Sequence, residues 1–279
     1  LSEKTLRLVV VIPSGRKRYM EVLLPYIFRQ RPLVDELRLW VNTREPSDLA
    51  YCNALQAAYP EFVTLEHVPA DEPRIGMGWA IRHFYKNAID EGTVYIRVDD
   101  DVVWVEPDFF KKIYDFRVAN PQYFLIYGNI INNAVCDHLH QCRGVYPPEP
   151  VFGRACLDPN GWETPHHAET KHRTLLSNIA NNNLDAYRFE PLVLDQYERV
   201  SINSISWLGA EFKKFNGDVG VDEEKWLSEE KPREMQMPNC ILGSALCAHF
   251  AFYKQRDWMD QTDVLRLYHE LRVSTIKKG

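Results

Sequence analysis

The stretch Val94-Tyr95-Ile96-Arg97-Val98-Asp99-Asp100-Asp101-Val102-Val103-Trp104 carries the most information in this chain. Its first five residues are rich in β-branched and aromatic types, as expected of a buried strand. Three acids follow in a row, with apolar residues again behind them. A carboxylate is costly to take out of water, so an acid run with apolar flanks needs a compensating partner. On an extended backbone, residues two apart share a face. Asp99 and Asp101 are therefore expected to point together, and Asp100 away. Two hard carboxylates on one side suit Mg2+ or Mn2+, with phosphate oxygens completing the shell. The competing reading is a solvated acidic turn, and the apolar flanks count against it.

The rest of the first half alternates strands and helices. Apolar runs over residues 6–12, 37–41, 62–68 and 123–127 read as strands beside 94–98. Segments starting near Tyr19, at Pro46, over 78–89 and at Pro107 show helical spacing. Such alternation predicts an α/β fold, a mainly parallel sheet with helices on both faces. Ligands of such sheets bind beyond the carboxyl ends of the strands. Pro13-Ser14-Gly15-Arg16 closes the first strand there. It matches neither a phosphate-loop nor a dinucleotide fingerprint. A glycine that lets backbone approach a ligand, followed by Arg16, Lys17 and Arg18, can still receive a nucleotide; an ordinary turn with solvated basic residues reads equally well.

After Asn133 the rhythm breaks. Residues 144–175 contain five prolines together with His166, His167 and His172, without a convincing period. A mobile lid is expected there, with the histidines in solvated loop. Order returns over 197–207, over 240–253 as a strand, and over 263–271 as a helix. His249 lies on that strand, sharing a face with the small residues Cys247 and Ala251. A lone strand histidine is more often a hydrogen-bonded core residue than a ligand. Cys136-x-His138-x-His140-x-Cys142 is not expected to bind zinc. As a strand its ends lie about 20 Å apart, and as a helix its members spread around the axis.

A chain of 279 residues, 45% hydrophobic, can bury a substantial core. Its formal net charge of −6 argues against a nucleic-acid binder, which needs a basic stripe. No run of about 18 apolar residues suggests a membrane span. The six cysteines are scattered without a C-x-x-C pair, so they read as reduced thiols, and a cytoplasmic location is expected.

With these residues in view, the chain resembles glycosyltransferases of the glycosyltransferase-A fold, particularly the inverting group called family 2. The likeness spans most of the chain and rests on short motifs. Val98-Asp99-Asp100-Asp101 is similar to the D-x-D signature. The resemblance implies Asp99 and Asp101 as metal ligands, with Asp99 and Asp100 close to the nucleotide. Pro13, Ser14, Gly15 and Arg16 resemble the nucleotide end of strand one, and Asn42 that of strand two. His249 matches a histidine that gives a third metal contact in several members.

Glu223-Glu224-x-x-Leu227 looks like the E-D-x-x-L motif, whose second acid is the catalytic base. Here that acid is Glu, so the base stands among Glu224, Glu223 and Asp222, with Glu224 chosen and Asp222 as its substitute. The resemblance implies a single domain, with a Rossmann-like nucleotide-sugar half (1–133) and an acceptor and catalytic half (134–279). It also implies Mn2+ or Mg2+ as cofactor, a nucleotide-sugar donor (UDP-sugar favoured) and a carbohydrate or glycoconjugate hydroxyl as acceptor. The absence of a Q-x-x-R-W motif implies transfer of one sugar rather than polymer synthesis. Trp162, Trp207 and Trp226 are the natural places for an acceptor sugar to stack, with plain core as the alternative for each. The rivals are a sugar-phosphate nucleotidyltransferase, a metal-dependent phosphohydrolase and a non-catalytic carbohydrate-binding protein.

Overall fold

The computed structural model describes residues 5–69, 72–73 and 75–276. Among them nine strands form one sheet. They are β1 (Arg7–Ser14), β2 (Glu36–Val41), β3 (Val63–His67), β4 (Thr93–Val98), β5 (Val102–Val105), β6 (Ile126–Ile131), β7 (Leu192–Leu194), β8 (Ser204–Leu208) and β9 (Asn239–His249). The helices are α1 (Lys17–Arg29), α2 (Pro46–Ala58), α3 (Phe109–Ala119), α4 (Ala134–Cys142), α5 (Pro165–Ala180), α6 (Gly209–Lys213), α7 (Glu223–Lys225), α8 (Lys231–Met235), α9 (Tyr253–Met259) and α10 (Val264–Ile276). Gly78–Asn87 is a 3-10 helix.

The strands lie in the order β3-β2-β1-β4-β8-β6-β9-β5, with β7 paired to β9. β3, β2, β1 and β4 are mutually parallel. Leu8 to Ile12 of β1 are fully buried, as a parallel strand covered on both faces requires. Beyond β4 the sheet is mixed. β8 runs antiparallel to β4 and β6, β6 is parallel to β9, and β5 and β7 are antiparallel to β9.

This topology converges on one edge of the sheet. β1 and β4 end there together, with Val11 opposite Arg97. Val98 pairs with Ser204, so the segment entering β8 passes the end of β4. Ile131 lies beside Ala248, which brings Asn132 and His249 to the same edge.

The irregular segment expected over 144–175 is corrected in its second half, where α5 begins at Pro165. Its buried residues are Ala168, Lys171, His172 and Leu175, a helical spacing. Two of those four are polar, and a search for apolar periodicity passes over them. His172 is likewise not in solvated loop. It is fully buried, its Nδ1 2.8 Å from the Tyr268 hydroxyl and its Nε2 2.9 Å from the Phe250 carbonyl oxygen. The strand β5 falls directly behind the acid run, where the sequence was read only as apolar context. Cys136 to Cys142 lies on α4, so its Cys and His side chains do spread around a helix. The six cysteines are free thiols. Among the described residues no helix is long and apolar enough to cross a membrane.

Trp207 is not available to an acceptor sugar. It is fully buried, its ring stacked on Tyr95 (centroids 5.3 Å apart) and on Phe212 (4.9 Å), and its Nε1–H donates to the Ala88 carbonyl at 3.0 Å. The sequence marks it as a large aromatic residue but cannot show that β8 is inserted next to β4. Trp207→Ala is expected to destabilise the protein by about 3–5 kcal/mol, the usual cost of truncating a buried aromatic residue. Urea unfolding measures this, and a loss under 1 kcal/mol would contradict the packing.

Candidate functional site

At the convergent edge lies an open cavity of about 410 Å3, lined among others by Pro13, Gly15, Arg16, Asn42, Asp99 and Asp100. A volume of this order accommodates a substrate-sized ligand. Arg97, Asn203, Glu223, Glu224 and Arg256 complete its polar wall.

The three acids are not arranged as on an extended strand. β4 stops at Val98, and the Val102 N–H donates to the Asp99 carbonyl at 3.0 Å, closing a turn. Strand alternation ends with the strand, yet Asp99 and Asp101 do come together as expected, with Asp100 outside their group though held by the same Arg16 as Asp101. Asp100 Oδ2 accepts the Gly15 N–H at 2.9 Å and its Oδ1 the Arg16 Nε–H at 2.9 Å. Asp101 Oδ2 accepts from Arg16 Nη1 at 2.7 Å and from Arg256 Nη2 at 3.2 Å. Burial works against the charge on Arg16, but Asp100 and Asp101 outweigh it and hold its pKa above the ordinary value. Burial also pushes the Asp100 carboxyl up against the pull of Arg16. For Asp101, burial is outweighed by Arg16, His249 and Arg256, and its carboxyl is held below the usual range.

Asp99, Asp101 and His249 each offer one ligand atom, and these atoms lie within 4.8 Å of one another. Asp101 Oδ1 is buried, makes no hydrogen bond, and sits 3.5 Å from His249 Nε2. The other ring nitrogen, Nδ1, is 3.2 Å from the Asn132 carbonyl oxygen. A carbonyl can only accept, so Nδ1 is the donor there and the other ring nitrogen, Nε2, faces Asp101. A buried carboxylate oxygen without a hydrogen bond, 3.5 Å from an imidazole nitrogen and grouped with Asp99, fits a divalent cation. The two carboxylates suit Mn2+ or Mg2+, and the imidazole favours a transition metal.

The residues expected at the nucleotide end are placed unevenly. Pro13, Gly15, Arg16 and Asn42 line the cavity. Ser14 does not; it is fully buried, with its hydroxyl donating to the Ile12 carbonyl at 2.9 Å. Gly15 does allow a close backbone approach, but the Asn42 carbonyl and Asp100 take it up: a Cβ there would lie 3.1 Å from the Asn42 oxygen. The Asn42 side chain spans the Gly76 N–H (2.9 Å) and the Met77 carbonyl (3.0 Å), so it shapes the wall.

Of the candidate bases, Glu224 and Glu223 line the cavity and Asp222 is not among its lining residues. Asp222 caps α7 through the Lys225 N–H (3.1 Å) and pairs with Arg199 through both of its oxygens, each at 3.1 Å. Glu223 is buried and locked against Arg97 and the Tyr85 hydroxyl. Glu224 accepts from Arg199 Nε at 2.8 Å and Cys156 Sγ at 3.3 Å, both on Oε1. Its Oε2 makes no hydrogen bond among the described residues, which leaves a carboxylate oxygen able to accept a proton.

Sequence reading missed Arg97, Asn203, Arg199 and Arg256. Arg97 is buried between Asp99 Oδ1 (2.8 Å) and Glu223. Asn203 donates to Asp99 Oδ2 at 3.2 Å. Arg97 had a signal, a charge inside an otherwise apolar strand, which demands a partner. Arg199, Asn203 and Arg256 had none, because their roles arise only when distant segments meet.

No protein-family model and no curated protein sequence matches the chain. Among solved structures, the mannosyltransferase PcManGT from Pyrobaculum calidifontis, in complex with GDP-Man and Mn2+, superposes with a TM-score of 0.55 at 13% identity. The match covers 99% of this chain and 66% of that one, so the chain spans just under two thirds of the mannosyltransferase's length. A mycobacterial protein superposes with a TM-score of 0.50 at 14% identity, covering 88% of this chain and 67% of that chain. At such identities the likeness speaks for the fold, and the chain has the glycosyltransferase-A type of α/β fold.

Proposed function

We propose that this protein transfers one sugar, with inversion, from a nucleoside-diphosphate sugar to a hydroxyl group of a carbohydrate or glycoconjugate. UDP-sugars are the first donors to test. The observation that carries the proposal is a shared cavity edge. Asp99 lines it and joins the buried Asp101 and His249 in a three-ligand cation cluster, and Glu224, with one oxygen unbonded among the described residues, lines the same cavity. Support for the donor class comes from the neighbouring mannosyltransferase, which is described with GDP-Man and Mn2+.

Asp99, Asp101 and His249 would hold Mn2+ or Mg2+, which when bound neutralises the charge of the leaving diphosphate. The chain's own residues supply the rest. Pro13, Gly15 and Asn42 form the wall against which the nucleotide rests. Arg16, at the cavity and paired with Asp100 and Asp101, is placed to meet phosphate oxygens. Arg199 fixes the Glu224 carboxylate through Oε1, leaving Oε2 to take the acceptor hydroxyl proton as attack begins. Holding hydroxyl, anomeric carbon and leaving oxygen in line is the remaining contribution. A nucleotidyltransferase is less well supported. Its triphosphate calls for several backbone N–H groups, and the single glycine of this turn already donates to Asp100.

Asp101→Asn is expected to abolish Mn2+-dependent UDP binding in calorimetry, with a circular dichroism spectrum like that of the parent. Undiminished binding would place the cation elsewhere. Glu224→Gln is expected to keep donor affinity while transfer slows on the order of 100-fold or more, the scale for a lost general base. Asp222→Asn should transfer at close to the parent rate. The reverse pattern in steady-state assays would reassign the base.

A further inference from the structure

The sequence singled out Asn133 as the end of the regular half, and the residue before it explains how His249 is held. Asn132 adopts a left-handed backbone, φ 61°, which a non-glycine residue keeps only when its surroundings hold it there. Its carbonyl oxygen is the partner of His249 Nδ1. Every other polar group of its main-chain N–H and side chain is tethered. The N–H donates to Asp137 Oδ1 at 3.2 Å. The side-chain Nδ2 donates to Gln255 Oε1 at 2.9 Å and to the Phe250 carbonyl at 3.2 Å, and Oδ1 accepts from Lys171 Nζ at 3.4 Å.

Asp137 and Lys171 are themselves an ion pair, 2.7 Å apart, with side chains 0% and 1% exposed. Lys171 Nζ also donates to the Gly161 carbonyl at 3.0 Å. A buried ion pair is a weak source of stability, since apolar residues of similar volume often do as well or better. A staple joining α4 to α5 could therefore be made of apolar residues. What an apolar staple cannot do is hold the N–H and the side-chain oxygen of Asn132, and both members of this pair reach that one residue.

We propose that Asp137, Lys171 and Asn132 are positioning residues for the cation site. They fix the left-handed turn so that its carbonyl accepts from His249 Nδ1 and the ring is held with Nε2 toward Asp101. The inference rests on the cation reading of Asp99, Asp101 and His249 given above. Outer partners of this kind commonly change metal affinity by about 10- to 100-fold.

The test uses the full chain and two variants. Asp137→Leu/Lys171→Met replaces the pair with apolar bulk. Asn132→Gly keeps the backbone angle accessible but removes the side-chain tethers. Two readouts are taken: the 15N shifts of His249 at alkaline pH without added metal, and the affinity for Mn2+ alone by calorimetry. The wild-type protein is expected to show a protonated Nδ1 and bare Nε2. At least one folded variant should show mixed tautomers and bind Mn2+ about 10-fold or more weakly. If the folded variants keep both the tautomer and the affinity, the positioning role is overturned. If wild-type His249 has its proton on Nε2, the role is overturned whatever the metal does. If the wild-type tautomer is as stated but the protein binds no Mn2+, the cation reading fails, and this inference with it.

Discussion

Asp100 and Asp101 are each 2% exposed at the end of a buried strand, and the rest of the site is organised around that burial. Unpaired carboxylates there would cost several kcal/mol each. The chain answers with groups from distant segments, Gly15 and Arg16 from the β1–α1 turn and Arg256 from α9, while the neighbouring Asp99 is held by Arg97 two residues before it and by the distant Asn203. The topology makes this possible, because β1 and β4 are parallel while the chain enters β8 at the same edge. One carboxylate oxygen, Asp101 Oδ1, is left without a hydrogen bond. Within so complete a set of compensations, that orphan is the most informative atom in the protein.

The same logic separates the three acids of the Asp222-Glu223-Glu224 run. Asp222 is consumed by a helix cap and Arg199, and Glu223 by Arg97 and Tyr85. Glu224 is restrained on one oxygen only. An acid fully satisfied by the protein has little capacity left for a substrate, whereas one held on a single side is both oriented and available. Arg199 binds both Asp222 and Glu224, so the helix start and the candidate base share one anchor.

Much of the first half was legible because β1, β2 and β4 are nearly continuous apolar runs and α1 carries an apolar stripe. β1, β2 and β4 were found within a residue or two of their bounds for that reason. The acid run and His249 stood out because charge and imidazole are unusual on buried strands. The second half hid its order. α5 buries Lys171 and His172, and β8 enters between strands far from it in sequence, so neither leaves a clean apolar period. The pairing of Asp99 with Asp101 came out as strand alternation suggests, but a turn rather than an extended strand produces it. Trp207 was misplaced because composition cannot say which aromatic residue the sheet will cover. Asn132 and its tethers left no local trace, since three of them come from residues more than 35 positions away.

On the proposed function, Asp101 and His249 hold a divalent cation beneath a nucleoside diphosphate. Crystals grown with Mn2+ and UDP, measured at the manganese absorption edge, address it directly. An anomalous peak is expected about 2.0–2.3 Å from both Asp101 Oδ1 and His249 Nε2, with diphosphate oxygens adjoining it. A peak at another place on the protein, or diphosphate bound in the cavity with no manganese at these atoms, would contradict it.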